Sequence, residues 1–160
     1  MIKEILSDSE LQESAKVIRD SFITVATDLN LNAENCPTHP TFISFTELKR
    51  LREKGAETFA LFHRNRQVEF VAVEKASDAL YYMEKLAVLP EYRHRGFGKK
   101  LMDFVFDYVK QRNGDTVSIG IINEHSVLKN WYSDYGFVET GIRRFEHLPF
   151  QVCFMEKKVG

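Results

Sequence analysis

The sequence predicts an α/β fold in which an antiparallel hairpin leads into a βαβ unit. Three observations carry this. Between Glu57 and Val73 the apolar pattern has the short, dense form of strands, broken by Arg64-Asn65-Arg66. From Leu80 to Ile122 a strand, a glycine-containing turn, a helix and a second strand follow in about 43 residues, which makes the two strands parallel and the crossover right-handed. The chain of 160 residues, 44% of them hydrophobic, can bury roughly 70% of its unfolded surface, enough for one domain over residues 1–160 and short for two.

In order, Ile2 to Leu6 reads as a short strand, and Ser7-Asp8-Ser9-Glu10 has the form of a capping box. The helix it opens runs from about Asp8 to Thr24, with Leu11, Ala15, Ile18 and Phe22 on one face. Asn30 to Thr41, with two prolines and three asparagines, is a loop. Ser44-Phe45-Thr46-Glu47 repeats the capping pattern and opens a second helix that ends near Gly55. Strands follow at Thr58–Phe62, Val68–Val73 and Leu80–Leu89, the last stopped by Pro90. A helix from Lys99 to Arg112 places Leu101, Met102, Val105 and Val109 together and ends at Asn113-Gly114. Thr116–Ile122 is an apolar strand, Ser126–Tyr135 a helix, and Phe137–Arg144 and Val152–Lys157 are the closing strands.

Composition removes several classes of function. Twenty-two basic and twenty-three acidic side chains leave a formal charge of -1, which argues against a dedicated nucleic-acid or polybasic membrane binder. The N-terminus carries charges where a signal peptide needs its apolar stretch, and no apolar run reaches membrane-span length, so the expectation is a cytoplasmic protein without a membrane. Cys36 and His39 form the only short Cys/His spacing and lack a second pair, so no metal site is expected. Cys153, between Val152 and Phe154, reads as inert, and Cys36 has only His39 beside it as a base.

The chemistry concentrates at Leu86-Ala87-Val88-Leu89-Pro90-Glu91-Tyr92-Arg93-His94-Arg95-Gly96-Phe97-Gly98-Lys99-Lys100, where a strand hands over to a helix. Amides in a first helical turn have no intrahelical partner and sit at the positive end of the dipole, so they can hold a pyrophosphate. Gly96 and Gly98 are expected to permit close backbone approach and positive φ. The segment is neither a P-loop, whose spacing it lacks, nor a dinucleotide fingerprint, whose third small residue is replaced by Leu101. A tight turn before a solvated basic helix is the plainer alternative.

This segment, together with Tyr132 four residues before Gly136-Phe137, resembles the GNAT superfamily of acyl-CoA-dependent N-acyltransferases. Leu86 to Val88 match the family's Leu-x-Val strand, and Arg93 to Gly98 its Arg/Gln-x-x-Gly-x-Gly/Ala loop. The family's Asn-x-x-Ala helix opening departs here, reading Asn123-Glu124-His125-Ser126, with about two extra residues before Tyr132. The resemblance implies a mixed, mostly antiparallel sheet with splayed central parallel strands, flanked by helices. It implies acetyl-CoA as cosubstrate, held by Leu86, Ala87 and Val88 along the pantetheine, by Arg93, His94, Arg95, Gly96, Phe97, Gly98 and Lys99 at the pyrophosphate, and by Asn123.

The implied reaction is direct attack of a primary amine on the thioester, with Glu84 as base and Tyr132 as acid toward the leaving thiolate. As packing residues, Glu84 would be a surface strand carboxylate and Tyr132 a core tyrosine; Trp131, Phe137 and Phe145 are expected in the core. A module that binds acyl-CoA without turning it over is the alternative function. The acceptor is a small-molecule or peptide amine, bounded by the Asn30–Thr41 loop and the Phe145–Phe150 connection, and a homodimer stays open.

Overall fold

The computed structural model of the protein describes residues 1–159. Seven strands and four helices follow in the order β1 (Ile2–Glu4), α1 (Asp8–Asp28), α2 (Phe45–Glu53), β2 (Glu57–His63), β3 (Arg66–Lys75), β4 (Leu80–Val88), α3 (Phe97–Gln111), β5 (Thr116–Ile122), α4 (Ser126–Asp134), β6 (Val138–Arg144) and β7 (Gln151–Lys158). Short 3-10 turns lie at Pro40–Phe42 and Pro90–Tyr92. One sheet carries all the strands in the order β1-β2-β3-β4-β5-β7-β6, antiparallel except for β4 beside β5.

Local chemistry accounts for most boundaries. Ser7 Oγ accepts from the Glu10 amide at the start of α1, and Ser44 Oγ accepts from the Glu47 amide at the start of α2. Helix α1 runs to Asp28 rather than Thr24, because no breaker precedes Asn30. There Asn30 turns left-handed (φ 53) while its own amide donates to Thr27 and the Leu31 amide to Ala26, a Schellman closure. The β2–β3 hairpin turns on Arg64 and Asn65, both at positive φ, as a two-residue turn of the I′ kind demands.

The two faces of the sheet bury separate cores. Helices α3 and α4 cover one, where Leu101, Met102, Val105 and Val109 meet Val71, Val73, Val117 and Met155. Helices α1 and α2 cover the other, where Leu11, Ala15, Ile18 and Leu48 meet Ala60, Val68, Phe70 and Ala72. Among the described residues no helix is long and apolar enough to cross a membrane.

Two irregularities position the site. Strands β4 and β5 pair only over Leu80–Tyr82 and Thr116–Ser118, then run on to Val88 and Ile122 without meeting. On its other edge β4 bulges: Phe70 stands opposite Ala87 but Ala72 stands opposite Glu84, so Lys85 and Leu86 both face Val71, and Lys85 takes φ 54.

Candidate active site

The opening between β4 and β5 is the mouth of a cleft of about 1680 Å³. Glu84, Leu86, Ala87, Val88, Arg93, His94, Gly96, Gly98, Lys99 and Tyr132 all line it, so the structure brings together most of the residues singled out from sequence. Arg95, Phe97 and Asn123 lie outside its wall. Arg95 stacks over the rings of Tyr92 and Phe97, bracing the loop from behind. Asn123 is engaged with its neighbours, its Oδ1 accepting from Lys129 Nζ at 2.7 Å.

The direction of the β4 amides follows from one bond. The Leu89 amide donates to Val68 O on β3. By strand alternation the peptide groups of Val88 and Leu86 point the opposite way, toward the open edge. The Val88 carbonyl confirms this by accepting from Arg93 Nε at 3.2 Å, on the side away from β3.

The loop after β4 prepares a bare helix end. Gly96 is the N-cap of α3 at φ 80, ψ 0, a left-handed conformation that glycine adopts without cost, and no side chain caps the helix there. The first intrahelical bond is from the Lys100 amide to Gly96 O, so the amides of Phe97, Gly98 and Lys99 point out of the helix end. Gly98 differs from its expected role. Its φ is helical, and a Cβ there would come within 3.1 Å of the Trp131 ring. Its missing side chain seats Trp131 rather than permitting positive φ.

Arg93 is likewise committed to the fold. Besides Val88 O, its guanidinium donates to Thr24 Oγ1 and Ser21 O on α1, while its amide closes the 3-10 turn onto Pro90. On this loop His94 and Lys99 line the cleft without such bonds to α1, Lys99 pairing instead with Asp103 at 2.7 Å, and Lys85 and Arg143 add basic side chains elsewhere on the wall.

Glu84 is half-buried beside the bulge. Desolvation pushes its carboxyl above the ordinary range, with Lys85 opposing and Glu74 adding to the shift. Tyr132, 5% exposed, ends at the cleft, and burial first, then the charge of Glu69, raise its phenol well above the usual value. Phe137 is core as expected, but Trp131 also lines the cleft, in edge contact with Tyr132 and Tyr135. Both cysteines are buried, and desolvation raises both thiols, which removes Cys36 as a nucleophile.

Two residues at the site were not assigned to it by the sequence reading, which left Glu69 aside and weighed His39 only beside Cys36. Glu69 on β3 is 0% exposed behind Gly98 and Trp131. His39 lines the cleft opposite β4, and its Nδ1 accepts from the Thr41 amide. Burial, then the charge of Lys85, holds it neutral with a pKa of about 4.

The fold and this cleft have relatives. A family model described as an acetyltransferase (GNAT) domain matches residues 54–139, the span from the end of α2 into β6. No curated protein matches the sequence. Among solved structures, a putative GNAT-family acetyltransferase from Desulfovibrio desulfuricans superposes with a TM-score of 0.79 at 13% identity, covering 100% of this chain and 99% of that one. The ribosomal-protein-S18-alanine N-acetyltransferase of Escherichia coli gives 0.76 at 16%, covering 100% and 94%. The PaiA N-acetyltransferase of Thermoplasma acidophilum, solved in complex with coenzyme A, gives 0.73 at 18%, covering 99% of each. The fold is thus shared over the whole length, and because the family model spans more than half of the sequence, the chain belongs to the GNAT acetyltransferase family.

Proposed function

We propose that the protein transfers an acetyl group from acetyl-CoA to a primary amine by direct attack within a ternary complex. The observation that carries this reading is the coincidence, in one cleft, of an unpaired strand edge at Leu86–Val88 and an uncapped helix end at Gly96–Lys99. The first suits the amide-bearing pantetheine arm, which adds to β4 as a strand would. The second suits the pyrophosphate. Structural relatives solved with coenzyme A or acetyl-CoA support the same donor.

The chemistry falls to two side chains and one amide. Glu84 accepts a proton from the ammonium form of the acceptor, whose nitrogen then attacks the thioester carbon. The Val88 amide donates to the oxyanion that forms. As the C–S bond breaks, Tyr132 gives its proton to the sulfur while the adduct nitrogen loses its second proton to solvent, and Tyr132 and Glu84 then return to their starting forms by exchange with solvent; burial keeps the phenol in its acid form until that moment.

Thiol release from acetyl-CoA across a panel of amines tests this, with two variants as arms. Tyr132→Phe keeps the ring and is expected to lower kcat on the order of 10²-fold with little change in donor affinity. Glu84→Gln is expected to lower turnover and move its optimum to alkaline pH, where more of the amine is already neutral. Donor binding without thiol release for any amine would instead make the protein an acyl-CoA-binding module. Full turnover in Tyr132→Phe would return Tyr132 to packing.

A further inference from the structure

Two polar side chains of β3 are buried two residues apart, and they are treated differently. Gln67, 1% exposed, is fully used: its amide nitrogen donates to Glu10 O at 2.9 Å and its oxygen accepts from Ser14 Oγ at 2.6 Å. Glu69, 0% exposed, has no partner on either carboxyl oxygen. A buried polar group without a partner costs about 1–3 kcal/mol, more if charged, so natural chains rarely keep one without use.

The carboxyl reaches the first turn of α3. Its Oε1 lies 3.8 Å from where a Cβ on Gly98 would stand, on the inner flank of the first turn of α3, a position that the Trp131 ring also borders. In the donor reading, on which this inference rests, the opposite side of that turn faces the pyrophosphate. The same helix end therefore lies between two acidic groups, one inside the protein and one in the ligand, and its dipole serves only one negative charge well.

We propose that Glu69 is a positioning residue for the donor, acting through the first turn of α3: the pyrophosphate binds when Glu69 carries a proton, and donor binding draws a proton onto Glu69 whenever it is ionised. The proton comes from solvent and adds to one carboxylate oxygen, so the exchange is complete without a further reactant. Burial supports the neutral form, raising the carboxyl to about 9. The ionisable groups that sense it are Tyr132 on α4 and Tyr135 at its C-terminal cap, with Lys99 and Asp103 of α3 beside Tyr135. Its cross-strand neighbours Leu61 and Val88 carry no charge.

The test is calorimetric binding of desulfo-coenzyme A, which has no thiol to titrate, at pH 7.5 and pH 10, to the wild type and to Glu69→Gln. Every other titrating group is common to both proteins. Wild-type affinity is expected to fall about tenfold more than that of the variant, since one pH unit above the carboxyl's pKa costs a factor of ten. At pH 9, titrations in two buffers of different ionisation enthalpy are expected to show uptake of about half a proton by the wild type alone. A parallel fall in both proteins, or no uptake at pH 9, overturns the inference. If Glu69→Gln does not fold, Glu69→Leu takes its place, and the wild-type uptake decides on its own. Absence of binding by the wild type at pH 7.5 would overturn the donor site itself.

Discussion

The N-terminus of α3 and those of α1 and α2 solve the same problem in opposite ways. Each helix leaves its first amides without intrahelical partners. In α1 and α2 a serine takes one of them, and Glu10 and Glu47 in turn accept from the Ser7 and Ser44 hydroxyls. In α3 the cap is Gly96, with no side chain to offer. Ends that serve only the fold are closed from within, whereas the end that faces the cleft is left for a visitor. The contrast extends to charge: α1 and α2 carry acidic residues in their first turns, and α3 carries none.

Closing the α3 end from within is expected to have the largest effect. Gly96→Asp is sterically possible, since nothing lies within 4 Å of its Cβ, and Asp and Asn tolerate the left-handed conformation better than other residues. The new carboxylate would occupy the anion position and weaken acetyl-CoA binding by about 10²-fold, the scale of one or two charge-assisted hydrogen bonds. Gly96→Asn, equal in shape and neutral, is expected to lose far less. Equal donor affinity in the two variants would break the comparison.

Arg93 gives the next effect, and it falls on stability. Arg93→Met removes the bonds to Ser21, Thr24 and Val88 and is expected to cost about 2–3 kcal/mol in urea unfolding. Unchanged stability with a collapse of donor affinity would move Arg93 from the fold to the ligand. The smallest effect belongs to the closed ends. Ser7→Ala or Ser44→Ala is expected to cost about 1 kcal/mol of stability and to leave donor affinity within about twofold of the wild type.

What the sequence made legible is what local chemistry determines. The capping boxes, the hairpin turn and the glycine-bearing loop before α3 depend on residues a few positions apart. Glu69 depends on something else. A charged residue between Val68 and Phe70 reads as the solvent side of an alternating strand, and only the packing of α3 and α4 over that face makes it buried. Arg93 matched a motif position, yet its partners lie about 70 residues away on α1, beyond any spacing rule. The same holds for Trp131, whose place in the cleft is set by the missing side chain of Gly98 on another helix. His39 was weighed only beside Cys36, because a histidine in a loop carries no periodic signal that would place it against β4.

The separation of β4 from β5 beyond Tyr82 and Ser118 has a consequence for how the protein would behave among mixed metabolites. On the proposed pose, the arm lying along that edge and the pyrophosphate at α3 are identical in acetyl-CoA and in the CoA that remains after transfer. Contacts with these shared parts bind substrate and product alike, and such uniform binding does not lower the barrier to reaction. Its effect is on occupancy. With both forms competing for one edge at similar strength, the fraction of molecules ready to react follows the ratio of acetylated to free CoA around the protein, rather than the amount of donor alone.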